Sequence, residues 1–186
     1  MKVMRKVNLA VCALALSVAS GAALAKTDGT VTFNGKLISE TCKVAPGSED
    51  VKVTLPTLST LNLNKAGEEA GSTSFIIDVV ECPAEITKVA AHFEAINSTG
   101  ANPVTGNLTN NALAADAAKE VEVRLYNITD GKQIRVGDTG AKFDVIPGTG
   151  ADKGTARLSY AGGYYATEAT TTGDVTAQVQ YVLAYN

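Results

Sequence analysis

Apolar and polar residues alternate along most of the chain after residue 25, and clusters of Gly, Asn, Asp, Thr and Pro interrupt the alternation. Side chains alternate between the two faces of a β-strand, so this pattern predicts short strands joined by turns. Seven or eight such segments in one domain indicate an all-β sandwich. The predicted strands are Val31 to Ile38, Val51 to Leu55, Ser74 to Val80, Val89 to Phe93, Val121 to Tyr126, Gln133 to Val136, Ala156 to Tyr160 and Val175 to Tyr185.

Two stretches do not fit this pattern. The Gly-rich stretch from Ile146 to Gly154 predicts a loop. The stretch from Asn107 to Lys119 is rich in Ala and Asn, and it predicts either a loop or a short helix, since some of its apolar residues have helical spacing.

The first 25 residues have the features of a secretory signal peptide. Lys2, Arg5 and Lys6 precede an apolar run, and small residues end at Ala25. A membrane span needs about 20 apolar residues, and neither this run nor any later stretch is long and apolar enough. We therefore expect an exported mature chain that starts near Lys26 and does not insert into a membrane.

The charge and length of the mature chain limit its function. Residues 1–25 hold three of the 16 basic residues and none of the 19 acidic ones, so 13 basic and 19 acidic residues would remain, a formal charge of −6. A protein that follows phosphates needs a basic face, so nucleic acid is not an expected partner. About 160 residues remain, which is the size of one domain.

Removal of the signal peptide also removes Cys12 and leaves Cys42 and Cys82. An even pair of cysteines in an exported protein indicates a disulfide. A disulfide between them would close a loop of about 40 residues. It would stabilise the fold by roughly 4 kcal/mol, because it constrains the unfolded chain. The alternative is two free, buried thiols.

The segment near the mature N-terminus has one apolar face. Val31, Phe33, Gly35 and Leu37 share this face, and only a short polar lead, residues 26–30, precedes them. An extended arm of this kind can fill a hydrophobic groove.

The C-terminal segment is the longest alternating run in the chain. Its apolar face is formed by Val175, Ala177, Val179, Tyr181, Leu183 and Tyr185. We expect no later strand to cover its outer edge, and an uncovered apolar edge strand invites pairing with another chain. The alternative is that the first strand pairs with the last inside the same sandwich.

The two ends and the cysteine strands resemble a known family. Gly29 to Leu37 followed by Thr41-Cys42 is similar to the N-terminal extension and first cysteine of chaperone–usher pilins, and Phe75 to Cys82 is similar to the strand that carries the partner cysteine. The segments Tyr164 to Thr167 and Gly173 to Tyr181 resemble the closing part of these subunits. Gly173 is fourteenth from the C-terminus and Tyr185 is penultimate, as in the C-terminal motif of the family.

This resemblance implies an all-β, incomplete immunoglobulin-like β-sandwich that lacks its last strand and is completed by a donor strand from another chain. Residues 1–25 would be the signal peptide, 26–39 the donor-strand extension and 40–186 the pilin domain. The implied donor positions are Val31, Phe33, Gly35 and Leu37. The implied acceptor groove and chaperone or usher recognition residues are Gly173, Val175, Val179, Tyr181, Leu183, Tyr185 and Asn186.

The resemblance also implies partners. A periplasmic chaperone would fill the groove first, and the arm of the next subunit would replace it at the outer-membrane usher. Further partners would be copies of the same chain, minor pilins and a tip adhesin, all in a fimbrium on the bacterial surface.

Two of the implied site residues have alternative interpretations. Gly35 could instead mark a bulge or bend, and Tyr185 could be an ordinary aromatic residue of a strand.

The chain offers few residues for catalysis. His92 is the only histidine, and the scattered acids give no zinc spacing. Gly148 to Gly154 lacks the ending of a phosphate-binding loop. The pairs Glu68-Glu69 and Glu120 with Glu122 are expected to be solvated surface. We therefore expect no enzyme activity, cofactor or metal.

The function indicated by these observations is a structural subunit that polymerises into an adhesive fimbria. The alternatives within the same pathway are a minor adaptor or terminator pilin, or a tip adhesin. A small secreted hydrolase is a third hypothesis, because a fold does not fix a function.

Overall fold

The computed structural model describes residues 29–38, 41–149 and 153–185. The predicted signal peptide, the first residues after it and Asn186 lie outside the described residues. The chain divides into two units, Met1–Leu37 and Ile38–Asn186, which we describe separately.

The described residues of the second unit form antiparallel strands and one short 3-10 turn at Thr60–Leu63. Its strands are β1 (Lys43–Val44), β2 (Glu69–Cys82), β3 (Lys88–Phe93), β4 (Leu108–Thr109), β5 (Val121–Asn127), β6 (Gln133–Ile134), β7 (Phe143–Asp144), β8 (Gly154–Ala166) and β9 (Tyr181–Tyr185). The larger sheet has the order β1-β2-β8-β5-β4, with β6 paired to β5, and the smaller sheet has the order β7-β3-β9. The all-β sandwich prediction is confirmed.

The core lies between the inner faces of the two sheets. Ile77, Phe93, Leu158 and Tyr160 are among its fully buried side chains. Phe93 packs edge-on against Tyr160, with ring centroids 5.3 Å apart. Such edge-to-face pairs add to the stabilisation that the buried area itself provides.

Tyr160 shows how a polar group is accommodated in this core. Its hydroxyl donates to the carbonyl of Ala141 at 2.8 Å and accepts from the N–H of Ala91 at 3.0 Å. Burial raises the pKa of Tyr160 to about 12. The hydroxyl therefore stays neutral and links β8 to the smaller sheet.

The predicted disulfide between Cys42 and Cys82 is present. Both cysteines are buried, and the bond joins the start of the second unit to the end of β2. Glu81 precedes Cys82 with a positive φ of 54°, at an irregularity in the β2–β8 pairing.

The strand predictions differ from the structure at segments that have no neighbouring strand paired along their length. Val51 to Leu55 and Val31 to Ile38 form no strand, and only Tyr181–Tyr185 of the C-terminal run is a strand. A strand is defined by its ladder of inter-strand bonds, so an extended segment without a paired neighbour is not assigned as one.

The two segments without alternation are mainly irregular. Leu108–Thr109 forms β4, and a single turn follows it, in which the N–H of Asp116 donates to the carbonyl of Leu113 at 2.9 Å. The loop prediction is therefore correct for most of Asn107 to Lys119, and the helix alternative is wrong. The described part of Ile146 to Gly154 contains one isolated bridge, between Ile146 and Thr155.

Candidate functional site: an open groove beside the C-terminal segment

The second unit contains an open cavity of about 890 Å³. Its floor is part of the inner face of the larger sheet and is formed by residues of β2, β5 and β8. The floor residues are Phe75, Ile77, Val123, Leu125, Gly162 and Tyr164. The cavity is therefore an apolar groove of the sandwich itself.

One side of the groove is formed by residues 174–181, which we call the C-terminal wall. The backbone carbonyls of its even-numbered residues point toward neighbouring loop segments. The carbonyls of Asp174, Thr176, Gln178 and Gln180 accept from the N–H groups of Ala118, Asn111, Thr99 and Glu94, at 2.7–3.0 Å.

The odd-numbered residues of the C-terminal wall face the groove. Val175, Ala177 and Val179 line the cavity, and their side chains are half-buried. Within the described residues, no backbone hydrogen bond reaches these three residues. Because backbone groups alternate in direction along an extended chain, they form a free edge that can accept another strand.

The other side of the groove is formed by residues 49–56, which we call the opposite wall. Val51, Val53 and Leu55 line the cavity. In the part of the chain that is described, residues 49–56 make no hydrogen bond from backbone to backbone. The wall is held at its ends, where Tyr181 donates to the carbonyl of Ser48 at 2.6 Å and Tyr164 to that of Pro56 at 3.2 Å.

The structure brings together only part of the predicted acceptor set. Val175, Val179 and Tyr181 line the groove, whereas Leu183 and Tyr185 pack against the core beyond it. The hydroxyl of Tyr185 donates to the carbonyl of Cys42 at 3.4 Å, and burial raises its pKa.

Gly173 lies just before the C-terminal wall and has a structural reason to be glycine. Its φ is +148°, and an added Cβ would lie 2.4 Å from the nitrogen of Ala118 and 2.5 Å from the carbonyl oxygen of Asp116. No side chain fits so close to another backbone. Gly173 thus allows the wall to start alongside the 116–118 turn, where the N–H of Asp174 donates to Asp116 at 2.6 Å.

Asn110 supports the C-terminal wall, and the sequence analysis missed it. Its side-chain amide donates to the carbonyls of Ala118 and Asp174, both at 2.9 Å, and its oxygen accepts from the N–H of Thr176 at 2.9 Å. Asparagine is common in turns, so the sequence alone gave no signal for this role.

The prediction that Glu122 is solvated surface is wrong. Glu122 is buried, because the loop before β4 covers it. Its carboxylate accepts from Asn102 at 2.5 Å, Thr105 at 2.7 Å and Asn107 at 2.9 Å. This network fixes the loop that leads into β4 and so stabilises the segment behind the C-terminal wall.

The residues of the first unit that were predicted to be donor positions are exposed. The exposed fraction is 77% for Val31, 90% for Phe33 and 99% for Leu37. An added Cβ at Gly35 would meet no atom within 4 Å. Large apolar side chains exposed in series are typical of a segment that binds elsewhere.

The described residues offer no other chemistry at the groove. His92 lies 2.9 Å from the hydroxyl of Thr139. Among the described residues, no group of His, Cys, Asp and Glu side chains could hold a metal ion, and no helix there is long and apolar enough to cross a membrane. The groove can therefore bind through apolar contacts and backbone hydrogen bonds.

Similar proteins are fimbrial subunits. The chain is 36% identical over 172 residues to the F17 fimbrial protein of Escherichia coli, covering 91% of this chain and 94% of that protein. It is 40% identical over 166 residues to the major fimbrial subunit SMF-1 of Stenotrophomonas maltophilia (strain K279a), covering 86% of this chain and 93% of the relative.

The crystal structure of the P pilus rod subunit PapA has a similar fold, with a TM-score of 0.57 at 18% identity over 78% of this chain and 99% of PapA. The fold is thus the incomplete immunoglobulin-like sandwich of a pilin. The family model described as "FimA: Type-1 fimbrial protein, A" matches residues 55–186. The chain belongs to this family and is a fimbrial subunit of the chaperone–usher type.

Proposed function

We propose that this subunit polymerises into an adhesive fimbria by donor-strand exchange, in which residues 26–39 of one copy fill the groove of the next. Fimbrial subunits assemble with one another and with tip adhesins into surface pili, and the family is structural and not a class of enzymes. The observation that carries the proposal is the apolar groove with a free backbone edge along the C-terminal wall.

Backbone pairing and apolar burial both support this mode of assembly. Addition of an extended peptide to an exposed sheet edge is a known mode of recognition, and chaperone–pilin donor-strand complementation is an established example. Burying a large apolar side chain stabilises by roughly 1.5–3 kcal/mol, so Val31, Phe33 and Leu37 together contribute on the order of 5–9 kcal/mol before ordering costs are subtracted.

The proposal includes the route of export. The predicted signal peptide would direct the chain to the periplasm, where a chaperone strand covers the groove. The arm of the next copy replaces that strand at the outer-membrane usher, and the fimbrium grows on the cell surface. The apolar floor supports a need for cover, since open grooves of this kind favour aggregation.

The test uses the mature chain without residues 26–38 and a synthetic peptide of those residues. We expect a marginally stable domain that becomes strongly stabilised and monomeric with the peptide, because the peptide supplies the missing strand. The measurements are thermal unfolding and sedimentation. A peptide with Phe33→Asp is the matched control, and it should stabilise far less.

A truncated domain that is fully stable alone and ignores the peptide would overturn the proposal. The complete mature chain then separates the roles within the pathway. A polymerising subunit forms long homopolymers, whereas a terminator or tip adhesin stops at short oligomers that electron microscopy distinguishes.

A further inference from the structure

The predicted donor arm contains one dipeptide with a reactive side chain, Asn34-Gly35. Asn34 is the only asparagine of the chain that precedes a glycine. The backbone nitrogen of the following residue can attack the side-chain amide carbon of an asparagine. Glycine hinders this attack least, because it has no Cβ and adopts many backbone conformations. By its sequence neighbour, Asn34 is therefore the asparagine most open to this reaction.

The surroundings of the dipeptide leave the reacting atoms accessible. Asn34 and Gly35 are both exposed, and neither belongs to a strand. An added Cβ at Gly35 would meet no atom within 4 Å. Within the described residues, the backbone N–H of Gly35 donates to no carbonyl. Its nitrogen is therefore available as a nucleophile.

Other asparagines of the described chain are held by hydrogen bonds. The side-chain amide of Asn97, which precedes a serine, donates to the side chain of Gln180 at 3.0 Å. Asn107 is buried, and its amide donates to the carboxylate of Glu122 at 2.9 Å. These bonds hold the amides away from the neighbouring backbone nitrogens. Asn97 and Asn107 therefore serve as internal references for the reactivity of Asn34.

We propose that Asn34 deamidates spontaneously in unassembled subunits, which lose the ability to donate their arm, and that a bound arm is protected; this rests on the donor-strand function above. The nitrogen of Gly35 forms a bond to Cγ of Asn34, the bond from Cγ to Nδ2 breaks, and ammonia leaves with the proton of the Gly35 N–H. Water then opens the cyclic imide at either carbonyl. The products are aspartate and isoaspartate at position 34.

The isoaspartate product changes the backbone of the arm. Its main chain runs through the former side chain, which inserts one carbon between Phe33 and Gly35. Side chains of a strand alternate between two faces, so the insertion puts the residues on its two sides out of phase. Leu37 can then no longer face the groove together with Val31 and Phe33. The aspartate product keeps the backbone and adds one negative charge on the polar face of the arm.

Binding of the arm protects Asn34 through the backbone conformation. Pairing holds the torsions of a strand near extended values, whereas closure of the imide ring needs rotation away from them. The arm must therefore leave the groove locally before it reacts. A 10-fold slower reaction corresponds to an opening free energy of about 1.4 kcal/mol. Assembled fimbriae thus keep Asn34, and subunits that wait for a partner lose competence with time.

The first test follows the state of Asn34 over time in the complete mature chain. One sample is kept unassembled at low concentration and another is assembled into fimbriae, both at the same mildly alkaline pH. Peptide mapping by mass spectrometry separates asparagine, aspartate and isoaspartate. In the unassembled chain Asn34 should convert faster than Asn97 and Asn107, and in fimbriae at least about 10-fold more slowly. Equal rates for Asn34 in the two samples would overturn the protection.

A variant links the chemistry to assembly. Asn34→Gln lengthens the side chain, so the ring closes much more slowly, and the polar face of the arm is kept. We expect the freshly prepared variant to polymerise like the native chain and to keep this ability on storage. The polymerising fraction of the native chain, measured by sedimentation, should fall as isoaspartate accumulates. Asn62→Gln, at an exposed asparagine of the 3-10 turn, is the matched control and should age like the native chain.

Synthetic peptides of residues 26–38 separate this inference from the donor-strand function. They carry asparagine, aspartate or isoaspartate at position 34 and are bound to the complete mature chain, refolded with excess peptide. The isoaspartate peptide should bind at least about 10-fold more weakly than the native one, because the burial of a large apolar side chain is lost. If the native peptide does not bind, donor-strand assembly itself is wrong. If the native and isoaspartate peptides bind equally, only the inactivation by deamidation is overturned.

Discussion

The two walls of the groove are both extended segments of similar length, but they are held in different ways. The C-terminal wall is bonded along its length, by backbone hydrogen bonds to neighbouring loop segments and by the side chain of Asn110. In the described ranges, the hydrogen bonds that join the opposite wall to the rest of the sandwich lie near its ends, at Tyr181 and Tyr164.

The C-terminal wall is therefore fixed in position, whereas the opposite wall can adjust. A segment with few hydrogen bonds opens at a lower free energy than one that is bonded throughout. We infer that an incoming strand pairs with the C-terminal wall, while the opposite wall adjusts to its side chains. Four predictions test this contrast.

The largest loss of stability is expected for Gly173→Ala, which alters the start of the C-terminal wall. The new Cβ would lie 2.4 Å from the nitrogen of Ala118, so backbone strain and overpacking together should lower the free energy of unfolding by about 2–5 kcal/mol. Denaturant unfolding measures this loss. The control is Gly47→Ala, near the opposite wall. Gly47 also has a positive φ, of +90°, but an added Cβ there would meet no atom within 4 Å. The free energy of unfolding should therefore fall by about 1–2 kcal/mol.

Asn110→Ala should destabilise the C-terminal wall by about 1–2 kcal/mol, because three backbone groups lose the hydrogen bonds that this side chain makes. The matched control is the neighbouring Asn111→Ala. The side chain of Asn111 is exposed, and its backbone N–H, which the substitution leaves in place, donates to the carbonyl of Thr176. Equal losses for both variants in thermal unfolding would contradict the role given to Asn110.

Tyr181→Phe should cost about 1 kcal/mol at neutral pH, since the hydrogen bond that joins the two walls is lost. The pKa of Tyr181 is raised, first by burial and then by the charge of Glu49. A raised pKa in the folded state means that this stabilisation is complete below pH ~10 and is lost as the pH rises further. The stability difference between the native chain and Tyr181→Phe should therefore narrow above pH ~10.

The pH dependence is read from unfolding curves collected at successive pH values. Tyr164→Phe, which removes the tie at the other end of the opposite wall, is the companion variant. A Tyr181→Phe chain that loses stability with rising pH as steeply as the native chain would show that Tyr181 does not titrate as stated.

The smallest effect on stability is expected for Val53→Thr in the opposite wall. Val53 is 37% exposed, so the unfolding free energy should change by less than ~0.5 kcal/mol. Binding of the arm peptide should weaken by about 5-fold, because the strand would bury this side chain. Val182→Thr is the control, since Val182 is 43% exposed on β9 and does not line the groove. Equal peptide affinities for the two variants would show that Val53 does not contact the bound strand.

Much of the fold follows from local pattern. Alternation located β3 and β5 closely, because apolar side chains recur at every second position of these strands, as at Val89 and Phe93 or Val121 and Leu125. The ends of β2 and β8 were missed, since Gly71 and Gly162 read as turn residues. In the structure these glycines lie within the long strands, beside an irregularity in the pairing between Ala70 and Thr73.

The site residues that could be predicted are those whose place in the alternating pattern puts their side chains on the groove face. Val175, Val179 and Tyr181 fall on the groove face for that reason. Asn110 and Glu122 act through contacts with segments distant in sequence, which no local pattern encodes. The alternating pattern predicts a strand at residues 175–180. In the structure these residues are extended but do not form a complete ladder of inter-strand hydrogen bonds.

The disulfide determines how a fibre of such subunits would carry tension. In the proposed fibre, a pulling force transmitted through a donated arm would enter the second unit of the same chain at Cys42, which is bonded covalently to Cys82 at the end of β2. β2 pairs with β8 along most of its length, so the load passes into many hydrogen bonds at once, parallel to the strands. The short β1 strand would thereby be protected from unzipping, and the subunit would resist stretching at the point where its neighbour pulls.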